Sequence, residues 1–146
     1  LAMACDFAIA EETAKMSFAF SSVGLAPDMG SSVLLTRRVG PARATDLFMT
    51  GRRFTGKEAA EMGIITRAVP ADELEENVKK QVSALAKGPT LSYAEIKGGI
   101  NRIMYPDLHQ CMILEADYAD RLTHSADHAE AVNAFLEKRK PVFQGK

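Results

Sequence analysis

Only three stretches of this chain read as extended, and none is longer than six residues. They are 7–10 (Phe-Ala-Ile-Ala), 15–20 (Lys-Met-Ser-Phe-Ala-Phe) and 64–69 (Ile-Ile-Thr-Arg-Ala-Val). Runs this short do not separate strand from helix by pattern alone, so the first two remain strand candidates. Two or three such strands do not form a stable sheet by themselves. The sequence therefore predicts an α/β chain whose strands pair with strands supplied from outside it. The amino end points the same way. Leu1, Ala2, Met3, Ala4 and Cys5 are apolar from the first residue, where a native terminus is commonly polar and loose. We read them as the last turn of a helix and the chain as a fragment entered in mid-element.

Most of what remains carries helix punctuation. Residues 21–32 are rich in Gly, Pro and Ser and read as a loop. Helices are expected over 33–39, stopped by Gly40-Pro41, and over 43–50, stopped by Gly51. Thr55 and Glu58 have the spacing of a capping box, and Gly63 closes that helix. Asp72 is expected to cap an amphipathic helix with Leu74, Val78, Val82 and Leu85 on its apolar face, ended by Gly88-Pro89. Three more helices follow. One runs over 90–104 with Ile96, Ile100 and Ile103 on one face, and one opens at Pro106-Asp107 and runs to about 123. The last is opened by Ser125 or Asp127, with Ala129, Val132, Phe135 and Leu136 facing inward. A boundary near Gly88 would separate a mixed part, 1–87, from an all-helical part, 88–146.

Composition removes several functional classes. Lys and Arg number 18 against 19 for Asp and Glu, so no global positive field favours nucleic acid or an anionic membrane. No apolar run reaches the length of a membrane span, and no charged segment precedes the apolar start as in a signal peptide. Two cysteines, Cys5 and Cys111, do not make a disulfide framework or a metal cluster, which fits a reducing, cytoplasmic setting. Both are read as buried structural thiols. The histidines His109, His124 and His128 are read as surface residues. His124 and His128 share the i, i+4 spacing of a ligand pair but have no further ligands around them. No metal site is expected.

The unusual segment is Val23-Gly24-Leu25-Ala26-Pro27-Asp28-Met29-Gly30-Ser31-Ser32. It sets one carboxylate in a loop of small residues that leads into an apolar helix. Read plainly, Pro27 fixes φ and Asp28 bonds backbone amides just downstream, as in an Asx turn. Read functionally, a carboxylate is poised beside a helix amino terminus in a loop open enough to admit a ligand. In such a place burial works against the charged carboxylate and the helix end works for it.

The ordered series LAMACDFAIAEETAKM, VGLAPDMGSS, LLTRRVGPARATDLFMTGRRFTGKEAAEMGIITRAVP and AVNAFLEKRKPVF resembles the crotonase superfamily, the enoyl-CoA hydratase/isomerase family. The likeness runs over nearly the whole chain and corresponds to the carboxyl-terminal half of a typical member. It implies a partial crotonase core of ββα spiral units at 1–87, followed by an all-helical trimerisation domain at 88–146. It also implies an acyl-CoA thioester as substrate, coenzyme A being part of that substrate, with no separate cofactor. Members hold the enolate oxygen with two backbone N–H groups, because preorganised donors stabilise charge that develops on a thioester carbonyl. By the resemblance both donors lie upstream of Leu1.

Hydratases of the family use two glutamates. By the resemblance the first precedes Leu1 and the second falls at Phe20, which cannot move a proton. Some enoyl-CoA isomerases carry a single carboxylate at the place matching Asp28. So does the phenylacetate-pathway epoxide isomerase branch, whose loop is similar to AFSSVGLAPDMG. The expectation is therefore an enoyl-CoA isomerase of fatty acid or phenylacetate metabolism, with Asp28 as the acid/base and Phe20, Leu25 and Pro27 around it. Ser31-Ser32, where many members have Gly-Thr, leans toward the isomerase-like branches. The alternatives are a hydratase or another lyase or dehalogenase of the family, in the last of which an Asp here acts as a nucleophile. A further alternative of another class is an inactive oligomerising fragment. Phe135 and Lys138 match positions that flank the adenine and its phosphate, often across a subunit boundary, and Lys97 is read as a surface residue. The assembly implied is a homotrimer or a dimer of trimers.

Overall fold

The computed structural model describes residues 2–146. The chain forms two compact units that are interleaved along the sequence. One comprises residues up to Met16 together with Phe54–Leu108, and the other comprises Ser17–Arg53 and His109–Lys146. Neither coincides with 1–87 or 88–146, because each joins an early segment to a late one.

The first unit holds all four short strands. β1 (Ile9–Glu11) lies parallel to β4 (Arg67–Val69), with Ile9 opposite Arg67 and Glu11 opposite Val69. β2 (Lys15–Met16) lies antiparallel to β3 (Phe54–Thr55). The expected extension of 15–20 stops at Met16, since Phe20 takes helical dihedrals and opens a 3-10 turn at Ser21–Val23. Between β3 and β4 sits the short helix α3 (Gly56–Glu61). Its capping box forms as the spacing predicts: Glu58 N–H donates to Thr55 Oγ1 at 3.2 Å, and Thr55 N–H donates to Glu58 Oε2 at 2.7 Å. Gly56 is there for space, because a Cβ would stand 2.0 Å from the Glu11 carbonyl oxygen. Phe54, Ala59, Ile64, Ile65 and Val69 form the buried core of this unit.

The unit continues with α4 (Leu74–Ala86) and α5 (Thr90–Met104). Asp72 does not cap α4. Pro70 instead leads into a 3-10 turn, Ala71–Glu73, in which Glu73 N–H donates to the Pro70 carbonyl at 3.1 Å. The acidic residues Asp72, Glu73, Glu75 and Glu76 still favour this helix end through its dipole. At the start of the chain Ala2–Ala4 is a 3-10 turn, and the proposed helical role of Leu1 lies outside the described residues.

The second unit is helical. α1 (Ser31–Val39) and α2 (Pro41–Thr50) pack together and bury Val33, Leu34, Leu35, Ala44 and Leu47. α6 (Leu108–Thr123) contributes all but its first residue to this unit, and α7 (Ala126–Leu136) starts at Ser125, whose hydroxyl accepts from His128 N–H at 3.0 Å. The inward face expected for α7 is corrected. Ala129, Val132, Phe135 and Leu136 are exposed, while Ala131 and Ala134 are buried. α7 packs against the Ser21–Val23 turn, and the approach is close at its amino end, where a Cβ on Gly24 would meet His128 N at 3.0 Å. Among the described residues no helix is long and apolar enough to cross a membrane. Neither cysteine is in a disulfide, and neither is buried as expected: Cys5 is exposed and Cys111 half-buried.

Candidate functional site

The loop around Asp28 is built entirely within the second unit, from backbone turns upward. The Phe20 carbonyl accepts from Val23 N–H at 3.1 Å and from Leu25 N–H at 2.9 Å, which draws Leu25 back over Phe20. The Phe20 ring lies edge-on to Phe48 with centroids 6.1 Å apart, and Phe18 does the same at 5.4 Å. Gly24 sits at φ 68°, a left-handed conformation that turns the chain onto the amino end of α7. There His128 Nδ1 meets the Val23 carbonyl at 2.7 Å. A carbonyl only accepts, so Nδ1 carries the proton and His128 ties helix to loop. His124 is likewise engaged by the Asp120 carbonyl at 2.6 Å. Among the described residues no group of three or more His, Cys, Asp or Glu side chains comes together as a potential metal site.

The loop then passes Leu25, Ala26 and Pro27, all half-buried, and reaches Asp28, which is exposed. Among the described residues the Asp28 side chain makes no hydrogen bond. Its backbone carbonyl accepts from Ser31 N–H at 2.8 Å. Met29 has φ 54° and Gly30 φ 79°, two successive left-handed residues at the mouth of α1. For Met29 that conformation is strained. Strain of this kind persists only where surrounding contacts fix the backbone.

Those contacts come from a residue that sequence reasoning missed. Glu115, in the middle of α6, is 2% exposed. Its Oε2 accepts from Gly30 N–H at 2.6 Å and its Oε1 from Ser32 N–H at 2.8 Å. One carboxylate thus takes two of the amides at the amino end of α1. The signal was present: Leu108, Cys111, Glu115, Ala119 and Leu122 share one face of α6 at helical spacing. Glu115 is the charged member of that otherwise uncharged row.

Phe135 and Lys138 lie at the other end of α7. Phe135 is 79% exposed, and Lys138, also exposed, has φ 55° just past the helix, its N–H donating to the Phe135 carbonyl at 3.2 Å. Seven residues of helix separate His128 from Phe135, roughly 10 Å along the axis. The nominated residues thus form two groups: Phe20, Leu25, Pro27 and Asp28 in one loop, Phe135 and Lys138 at a helix end. Lys97 belongs to the first unit and pairs with Asp6 at 2.6 Å on the surface. The first unit also has an open apolar cleft of about 520 Å³, lined by Cys5, Phe7, Ile9, Val78, Val82 and Leu85 among others. None of the nominated residues lines it.

The sequence profile described as enoyl-CoA hydratase/isomerase matches residues 1–146. The chain belongs to that family. It is 38% identical to a probable enoyl-CoA hydratase of Rhodobacter capsulatus, over all of this chain and 57% of the relative. It is 39% identical to the 1,2-epoxyphenylacetyl-CoA isomerase of Escherichia coli, over all of this chain and 56% of the relative. The trans-2-decenoyl-[acyl-carrier-protein] isomerase of Streptococcus mutans is 36% identical over the same shares. Among solved structures, an enoyl-CoA hydratase from Mycobacterium avium subsp. paratuberculosis superposes with a TM-score of 0.93 at 35% identity. That match covers 97% of this chain and 58% of the other. The expected fold class therefore holds: a mostly helical chain with few short strands, matching part of a crotonase-type enzyme. The chain spans a little over half the length of the curated relatives it matches.

Proposed function

We propose that the protein carrying this chain shifts a double bond in an enoyl-CoA thioester, with Asp28 as the single acid/base. The observation that carries this reading is a carboxylate without a hydrogen bond in a loop fixed on both sides. A proton shuttle needs a carboxylate oxygen free to face the substrate, and an Asx turn would draw the carboxylate back onto the backbone. In the proposed step Asp28 removes a proton from the carbon next to the thioester carbonyl. The double bond moves, and the same proton returns two carbons along. The charge on the thioester oxygen would be held by backbone N–H groups that, by the family resemblance, lie upstream of Leu1. A proton shuttle of this kind involves no metal and no redox cofactor. Phe20, Leu25 and Pro27 would form the apolar wall beside the acyl chain.

Phe135 and Lys138 are proposed to meet the adenine and a phosphate of coenzyme A. Their exposure supports this, and a Lys serves phosphate as a point charge. Because they sit at the far end of α7 from the Asp28 loop, the CoA they touch would belong to a neighbouring subunit's site. A homotrimer or dimer of trimers built through 88–146, with 1–87 as part of the catalytic core, would supply that neighbour. Two cysteines outside any disulfide suit the cytoplasm as the compartment. The hydratase reading keeps specific support in the 38% identity to a probable hydratase and the 0.93 TM-score to a solved enoyl-CoA hydratase. Phe20, at the place of the second glutamate, weighs against it.

The test is Asp28→Asn in the intact protein, with 3-enoyl-CoA as substrate and the conjugated product followed by its ultraviolet absorbance. Loss of the shuttle lowers kcat by about 100-fold or more. A rate close to that of the unsubstituted protein would end the assignment.

A further inference from the structure

We infer that Glu115 is a positioning residue that keeps the Asp28 carboxylate free, by occupying the backbone amides Asp28 would otherwise bind. The inference rests on the proposal that Asp28 is the acid/base. An aspartate two residues before an amide at a helix start is set up for an Asx turn, side chain to the N–H of residue i+2. Here that N–H belongs to Gly30, and it donates to Glu115 Oε2 at 2.6 Å. The next amide, Ser31, is taken by Asp28's own carbonyl at 2.8 Å. The one after, Ser32, donates to Glu115 Oε1 at 2.8 Å. All three amides within reach of the Asp28 side chain are thus spoken for, two of them by a carboxylate from another helix.

Charge and burial explain why the arrangement holds. The amino end of α1 carries partial positive charge and attracts a carboxylate. Two carboxylates compete for it, one exposed on a loop and one buried on α6. A buried carboxylate left without donors is costly, so Glu115 has more to lose than Asp28, which water can solvate. Glu115 takes the amides and Asp28 stays with solvent or substrate. The same clamp grips the backbone on either side of Ser31, directly after Asp28, where Met29 and Gly30 take left-handed conformations.

The experiment uses the intact protein and four forms: unsubstituted, Glu115→Ala, Asp28→Asn and the double variant. Glu115→Ala releases both amides, and Asp28 folds back onto them. The expected result is a fall in kcat of about 10-fold or more with KM changed less than about 3-fold, as when a reacting group is misplaced and substrate binding is left intact. Added formate, a carboxylate small enough for the vacated place, restores most of kcat. In the Asp28→Asn background Glu115→Ala causes no further fall, since it acts through Asp28. Glu115→Gln repeats the comparison with the shape kept, and circular dichroism checks the fold of each form. An unchanged kcat in Glu115→Ala overturns the inference. So does an equal fall in both backgrounds, or a loss of fold in both Glu115 variants that formate does not reverse. A near-normal rate in Asp28→Asn alone shows instead that the acid/base assignment was wrong.

Discussion

The α1–α2 pair and α5 show two ways for a chain to be helical. The pair spans 9 and 10 residues and buries Val33, Leu34, Leu35, Ala44 and Leu47, with Leu35 and Leu47 wholly shielded. α5 is longer, at 15 residues, and buries none. Its apolar residues Leu91, Ile96, Ile100 and Ile103 are exposed, and Gly98 and Gly99 have open space around them. A helix of this length with two central glycines is marginal in water by itself. An apolar stripe announces that a face will be covered, and here only one of the two helical regions carries its own cover. The loop that presents Asp28 is attached to the self-sufficient region.

The largest stability effect is expected where that self-sufficiency resides. Leu47→Ala removes a fully shielded side chain from the α1–α2 core and should cost about 2–5 kcal/mol, read as a lower urea midpoint. Because the Asp28 loop leads directly into α1, activity should fall with the folded fraction rather than before it. A cost below about 1 kcal/mol would mean that the pair is not the anchor it looks to be.

The contrast also marks how far the sequence was legible. The Thr55–Glu58 capping box, α5 from 90 to 104 and the end of α2 at Gly51 were all readable, because each is set by residues within one turn of itself. The inward face of α7 was not. Hydrophobicity nominated Val132, Phe135 and Leu136, but the face that is buried carries the small residues Ala131 and Ala134, which no hydrophobicity pattern singles out. Asp28 was nominated from its loop, and Glu115, which bonds two amides just beyond it, was not. The link between Gly30 and Glu115 spans 85 residues, and no local pattern encodes which amides a distant carboxylate will take. A charged residue in an uncharged helical row was the visible trace of it.

A smaller effect would sharpen the comparison from the α5 side. Gly98→Ala meets nothing within 4 Å and restores helix propensity. The 146-residue chain should gain about 0.5–1 kcal/mol, seen as a higher urea midpoint. In the intact protein the same substitution reports whether anything seats on that face. A gain there leaves the face open at Gly98, whereas a loss shows a neighbour packed against the missing Cβ.

The smallest effect concerns a third kind of region, held by charge rather than by packing. After α7 the chain doubles back along the helix. Glu130 accepts from both terminal nitrogens of Arg139, Nη2 at 2.9 Å, and from Val142 N–H at 2.9 Å. Asp127 accepts from Gln144 N–H at 2.7 Å and Gly145 N–H at 2.8 Å. The bond to Arg139 comes first, then that from Val142, in holding the Glu130 carboxyl from its ordinary 4.5 down to about 2. A folded-state value below the unfolded one means that the unfolded chain binds the proton first as pH falls. The contribution is therefore complete above about pH 4.5 and disappears as pH drops toward 2. Protection of the Val142 amide against hydrogen exchange, corrected for the intrinsic rate, should be flat above that window and fall within it. Glu130→Gln should show low protection at every pH. Because the pair is solvent-exposed, salt should weaken the protection, which it would not do to the α1–α2 core. Tail protection that ignores both pH and salt would assign the tail to packing after all, by Val142 and Phe143.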